Sequence, residues 1–361
     1  MNLQYLRTTR IFRFCAALLL TFALFAGSAP VMAKDSFRIA WSIYVGWMPW
    51  DYGDQAGIVK KWADKYGIKI EVVQINDYVE SINQYTAGAF DGCVMTNMDA
   101  LTIPAAGGVD STALIVGDFS NGNDGVILKG KKSLADIKGQ NVNLVELSVS
   151  HYLLARALAS IGLSEKDITV VNTSDADMVA AWSSPDVTAV VTWNPLLSEI
   201  LATPDSHEVF NSSQIAGEII DMMVVNTDTL KANPKLGKAL TGAWYEIMSI
   251  MSGKDKAAIA ARTQMGKASG TDLAGYDAQL ATTRMFYQAA DAVSFARSTE
   301  LVDTMKHVTG FSFEHGLLGE GAPDADFIGI AFPGGKTLGD KANVKLHFDD
   351  AYMAMAADHK L

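Results

Sequence analysis

Between Gly117 and Gly130 the chain reads GDFSNGNDGVILKG, and no other stretch limits the possible folds as much. One apolar run, Thr112 to Val116, ends at it, and a second begins at Val126. Gly, Asn, Asp and Ser at this density do not pack as the interior of an element. Each favours turn conformations or competes for backbone hydrogen bonds. On both sides the chain alternates strand, polar loop and helix. The stretch therefore reads as a crossover between two α/β lobes, with Asp124 facing the groove between them.

The alternation can be followed in order. Strands are expected at Ser36 to Trp41, Lys69 to Gln74, Cys93 to Thr96 and Leu114 to Gly117, with helices over Gln55 to Lys65 and Val79 to Ala87. A second set repeats the rhythm, with strands at Asn141 to Val145, Ile168 to Val171 and Thr188 to Thr192 and helices at His151 to Ile161 and Ala176 to Trp182. Strands separated by helices of this length predict βαβ units and a parallel sheet in each set. Met222 to Asn226 reads as the return crossing, followed by mostly helical segments that cover the first lobe. Ligands of such sheets bind beyond the carboxyl ends of the strands. That rule selects Trp41 to Tyr52, Thr96 to Asp99, Glu146 to Ser150 and Trp193 to Asn194.

The first 33 residues differ in kind. Arg7, Arg10 and Arg13 precede an apolar run from Phe14 to Ala26, and small residues close the segment at Val31-Met32-Ala33. This order is that of a secretory signal, and the run is short for a bilayer span. The formal charge of -11 becomes more negative without those three arginines. An acidic exported protein is a poor candidate for nucleic acid or an anionic membrane. Past the segment, Cys93 is the single thiol, so no intramolecular disulfide is possible.

Catalytic and metal-binding patterns are sparse. The histidines show no metal-ligand spacing, and no nucleophile elbow, phosphate loop or dinucleotide fingerprint occurs. No cofactor and no metal is expected. Binding is the simpler reading, and its chemistry is carboxylates with aromatics. Asp99, Asp124, Glu146 and Asp221 stand at expected strand ends or crossings, and Trp41, Tyr44, Trp47, Trp50 and Trp193 occupy the matching loops. A guanidinium-type cation offers only donors, which carboxylates accept in pairs, and its flat face stacks on indole. Each residue also has a plainer use. Asp99 and Asp124 fit turns or caps, Glu146 fits a helix dipole, and Trp50, Trp182 and Trp244 fit packing.

Several stretches carry a resemblance. GWMPWDYGDQAGIVKKWADKYGIKIEV, YTAGAFDGCV, SLADIKGQNVNL, SHYLLARALASIGLSEKDITVVN and VVTWNPLLSEI, in that order, resemble the solute-binding proteins of nitrate, sulfonate and taurine type ABC importers. More narrowly, the chain resembles the subgroup associated with urea carboxylase and guanidine use. The resemblance implies a two-lobed, type II periplasmic binding protein fold of class α/β with two crossover segments. Residues 1–33 would be the signal, residues 34–120 and 225–361 one lobe, and residues 121–224 the other. It further implies a monomeric periplasmic protein that hands a solute to an ABC permease with its ATPase. The expected ligand contacts are Trp41, Ser42, Tyr44, Trp47, Thr96, Asp99, Asp124, Glu146, Trp193, Asn194 and Asp221. Relatives that bind sulfonate or nitrate need donors in the loops where this chain has Asp99, Asp124 and Glu146. A guanidinium-type cation is therefore expected, with taurine, sulfonate, nitrate or urea as the alternative and a secreted hydrolase as the rival from another class. A sensor component and a carrier of a pyrimidine precursor related to thiamine synthesis are smaller possibilities.

Overall fold

The computed structural model describes residues 34–361, so the expected signal segment lies outside the described residues. In chain order the strands are β1 Ser36–Trp41, β2 Lys69–Gln74, β3 Gly92–Thr96, β4 Ser111–Ser120, β5 Asp124–Lys129, β6 Asn141–Leu144, β7 Thr169–Asn172, β8 Ala189–Trp193, β9 Ser206–Asn211, β10 Ile220–Asn226, β11 Thr283–Met285, β12 Gly329–Phe332, β13 Lys336–Leu338 and β14 Val344–Phe348. They divide between two sheets. The first runs β13-β12-β14-β4-β10-β3-β1-β2, with β11 on β4, and the second runs β7-β6-β8-β5-β9. Each sheet is the core of one lobe.

Most helices between strands form where the apolar spacing placed them, but Met48–Gln55, expected within a loop, is helical, and the helix expected from Gln55 begins at Ile58 after the left-handed Gly57. Tyr78–Thr86 is capped by Asp77, whose side chain accepts from the Glu80 N–H, and Val149–Ser160 is capped by Ser148. Parallel pairing holds for β1 with β2 and β3, and for β6 with β7 and β8. It fails at β5 and β10, which run antiparallel to their neighbours. The reason is topological. Each of these strands enters its sheet directly from a crossing rather than through a helix, so it arrives from the opposite end. The Met222–Asn226 stretch expected as the return crossing is part of β10, a central strand of the first sheet. The return itself runs through Ser212 to Ile219, ahead of that strand.

The two crossings are tied together. Ser120 Oγ lies 2.6 Å from Ser212 Oγ, which also accepts from the Gly122 N–H at 2.8 Å. The segments after β10 are helical as expected, but the tail from Gly316 adds β12, β13 and β14 to the first sheet. Trp244, on the helix Pro234–Met251, stacks on Trp50 at 5.3 Å and covers Gly117. Both indoles are fully buried, which bears out their reading as packing residues. Trp244→Ala is expected to lower the unfolding free energy by about 3 to 5 kcal/mol, the range for truncating a buried aromatic, checked by urea denaturation.

Candidate functional site

The register of β10 builds the site. Asp221 pairs with Thr96 of β3 on one side and with Asp118 of β4 on the other. In the second sheet Asp124, the first residue of β5, pairs with Trp193, the last of β8. Three strand ends and the start of β5 thus converge where the chain passes between lobes, which is the topological switch point where open α/β sheets bind ligands.

A tight cavity lies there, walled by Tyr44, Trp47, Tyr78, Thr96, Asp124, Val149, Trp193, Ile219 and Asp221. Behind it a second small space shares Trp47 and Asp221 and reaches Asp118 and Trp244. Neither wall contains Lys, Arg or His. The front cavity falls far short of the roughly 300 to 1,000 Å³ typical of drug-sized ligands, so it suits only a solute of a few heavy atoms. A larger and more open depression near Trp62 lies elsewhere. Its one carboxylate, Glu246, is already engaged by Trp62 and Lys61.

The rings form a box. Trp47 meets Tyr44 edge-on at 4.9 Å and Tyr78 at 5.5 Å, and Tyr78 meets Trp193 edge-on at 5.6 Å. Tyr44 and Trp47 come from the loop after β1, Tyr78 from a helix start, and Trp193 from the other lobe. Position 46 admits only glycine, since a Cβ would sit 2.6 Å from Asp118 Oδ2. The loop thereby lies against the carboxylates.

Around the box stand four buried acids. Tyr44 Oη donates to Asp118 at 3.1 Å. Tyr78 Oη donates to Asp99 at 2.6 Å and Thr96 Oγ1 donates to it at 2.8 Å. Ser120 donates to Asp124 at 2.5 Å. Asp118 and Asp221 share a hydrogen bond between their own carboxyl groups, and the Val149 N–H donates to Asp99, while Trp47 Nε1 is buried with no hydrogen-bond partner. Burial pushes Asp99 up to about 6 and Asp124 up to about 7. Asp118 is raised by burial and by the charge of Asp124, and Asp221 is raised by burial and then by Asp118. Like charges opposite each other across strands are unfavourable, and no buried cation answers them. Unpaired acids in this state lack a positive partner.

Of the expected contacts, Tyr44, Trp47, Thr96, Asp124, Trp193 and Asp221 line the cavity. Asp99 stands one bond behind Tyr78 and Thr96. Trp41 and Ser42 are buried at the end of β1 but are not cavity walls. Asn194 supports the crossing: its N–H donates to the Asn123 carbonyl at 3.1 Å, and its Oδ1 accepts from Ser198. Glu146 needs correction. It is exposed, and its loop is held by its own N–H donating to Asn172 Oδ1, so the carboxylate points to water instead of the cleft. Two residues were missed. Asp118 falls in an expected loop, because composition ends the strand at Gly117, whereas β4 continues to Ser120. Tyr78 was passed over as the residue before a helix.

The raised acids carry a stability consequence. A carboxyl whose folded pKa lies above its unfolded value stabilises the fold fully below about pH 4, and that contribution is lost as pH rises through about 7. Without solute, Asp118→Asn is expected to raise the melting temperature at about pH 8 and to give no such gain near pH 4. Scanning calorimetry at both pH values checks this.

The NMT1-like family model matches residues 41–265. A Brucella abortus protein described as a binding protein is 33% identical over 102 residues, 28% of this chain and 31% of that one. The taurine-binding periplasmic protein of Escherichia coli is 25% identical over 130 residues, 35% of this chain and 40% of that one. These matches thus span well under half the length of the relatives. The alkanesulfonate-binding protein of Xanthomonas axonopodis superposes with a TM-score of 0.64 at 17% identity, covering 80% of this chain and 96% of that one. The nitrate-binding protein of Synechocystis gives 0.62 at 13% identity, covering 90% and 89%. The architecture is that of the two-lobed, type II periplasmic binding proteins. With more than half of its residues within the matched segment, the chain belongs to the NMT1-like family.

Proposed function

We propose that this protein is the periplasmic solute-binding component of an ABC importer and that it captures a small planar cation of the guanidinium type. One observation carries the choice of charge. Buried carboxyl groups, two of them side by side, meet a box of aromatic rings whose walls hold no basic side chain. A sulfonate or nitrate would bring negative charge to acids that already repel one another. A guanidinium brings N–H donors to Asp124, Asp118 and Asp221 and a flat face to the indoles. Trp193 and Asp124 belong to one lobe and Tyr44, Trp47 and Asp221 to the other. A bound cation therefore bridges the lobes and favours the closed form by its differential affinity. Among the described residues no helix is long and apolar enough to cross a membrane, so transport itself falls to a permease.

Urea is the second reading. Raised acids keep protons that could donate to its carbonyl oxygen. The two ligands separate by pH. Guanidinium displaces protons, so its affinity should rise by up to about tenfold per pH unit for each proton released between about pH 5 and pH 7. Urea should gain nothing there.

A thermal-shift screen of guanidine, urea, taurine and nitrate tests the assignment, since a ligand of the folded state raises its apparent stability. Guanidine alone is expected to raise the melting temperature. A response to taurine or nitrate without one to guanidine would reverse the charge assignment, and turnover of a small amide would move the protein to the hydrolases. Asp124→Asn should weaken guanidinium binding by about 2 to 4 kcal/mol, the scale for losing a buried charged partner. Calorimetry showing unchanged affinity would remove Asp124 from the site.

A further inference from the structure

Tyr78 is a wall of the cavity and also a point where the lobes meet. It opens the first lobe's helix Tyr78–Thr86, so its N–H is among the donors that a helix leaves without an internal partner. The cap residue Asp77 accepts from the Glu80 N–H at 2.8 Å instead. The acceptor for Tyr78 comes from the other lobe. Asp175, the first residue of the helix Asp175–Trp182, receives the Tyr78 N–H on Oδ1 at 3.2 Å. Asp175 is buried, and its carboxylate also accepts from the N–H groups of Asp175 and Ala176 at the start of its own helix. One side chain thus serves the first turns of two helices, one in each lobe.

Tyr78 also sets the width of the box. Its ring lies 5.6 Å from Trp193 of the second lobe and 5.5 Å from Trp47 of the first. Its hydroxyl is fixed within the first lobe, donating to Asp99 at 2.6 Å and accepting from the Thr96 N–H at 3.0 Å. Ring and N–H belong to one residue, so the gap to Trp193 and the bond to Asp175 change together when the lobes move. A solute too thick for the box holds the lobes apart and leaves the Tyr78 N–H short of Asp175. The bond has little range, since a contact of about 3.6 Å is no longer a hydrogen bond. Other contacts between the lobes, such as His315 Nε2 with Glu165 Oε2 at 2.6 Å, are made by residues outside the cavity walls.

We propose that Asp175 is a specificity-determining residue: its bond to the Tyr78 N–H forms only when the lobes close to the present spacing, so a solute small enough for the box gains that bond and a bulkier one forgoes it. This rests on the reading of the cavity as the solute site and is independent of the solute's charge. Asp175 is not a cavity wall, so it acts through Tyr78 as a positioning residue. Burial pushes Asp175 up to about 6 against the pull of the Tyr78 N–H, with a further rise from the charge of Asp77. At about pH 8 it is a carboxylate, and the comparison belongs there.

Two measurements at that pH test the proposal. Cys93 is buried, so fluorophores placed through Lys60→Cys in one lobe and Lys132→Cys in the other, both exposed positions, report lobe separation of the solute-free chain by energy transfer. Asp175→Ala is expected to lower the closed-to-open ratio by about tenfold, the lower end for a hydrogen bond to a charged group. Asp175→Asn keeps the acceptor and should fall between Asp175→Ala and the native chain. Asp177→Ala removes an exposed acid that is bonded to Ser174 in the same turn, and should leave the ratio unchanged. Titration calorimetry then compares guanidinium with its N,N-dimethyl derivative. The native preference for the smaller cation should shrink by about tenfold in Asp175→Ala. Superimposed energy-transfer distributions, an equal loss in Asp177→Ala or an unchanged preference would each overturn the proposal. If the native chain binds neither cation, the guanidinium reading fails, and energy transfer alone decides on Asp175.

Discussion

The antiparallel insertion of β10 between β3 and β4 is the constraint from which the site follows. It sets Asp221 beside Asp118 in a dry interior, where two carboxylates at neighbouring ladder positions repel. A fold tolerates this when the acids keep protons or meet a cation. The second lobe repeats the device, since β5 enters antiparallel and brings Asp124 beside Trp193.

The same insertion explains why the cavity lies between lobes. β5 and β10 follow the two crossings, so the residues that open them lie at the hinge and face the other lobe. The Ser120–Ser212 contact ties the crossings together directly behind Asp124. Asn123 reaches across to Thr283 at 2.6 Å, and the Tyr78 N–H donates to Asp175 at 3.2 Å. These contacts bring the lobes together, while the acids in the cavity wall meet no basic side chain.

Much of the site was legible because strand ends followed by aromatic, acidic loops obey a general rule. Tyr44, Trp47, Thr96, Asp124, Trp193 and Asp221 were found that way. Glu146 satisfied the same rule and failed, because a strand end says where a loop begins and not which way its side chains turn. Asp118 was hidden for the opposite reason. It sits inside a strand that runs past its glycine into a polar stretch, and composition ended the strand too early. An acid in GDFS directly before a crossing was the available signal.

The order of residues by itself determined the two α/β sets, a crossing within Gly117 to Gly130, which the structure narrows to residues 121–123, and the placing of acids and aromatic rings at particular strand ends. These depend on local propensity and on periodicities of a few residues, which are written along the chain. The tertiary structure alone decided that β5 and β10 run antiparallel, that Asp118 and Tyr78 join the site while Glu146 leaves it, and that His315 reaches Glu165 from 150 positions away. Those outcomes depend on register and on packing between distant segments. They arise only when strands from separate parts of the chain lie side by side and the water between them is gone.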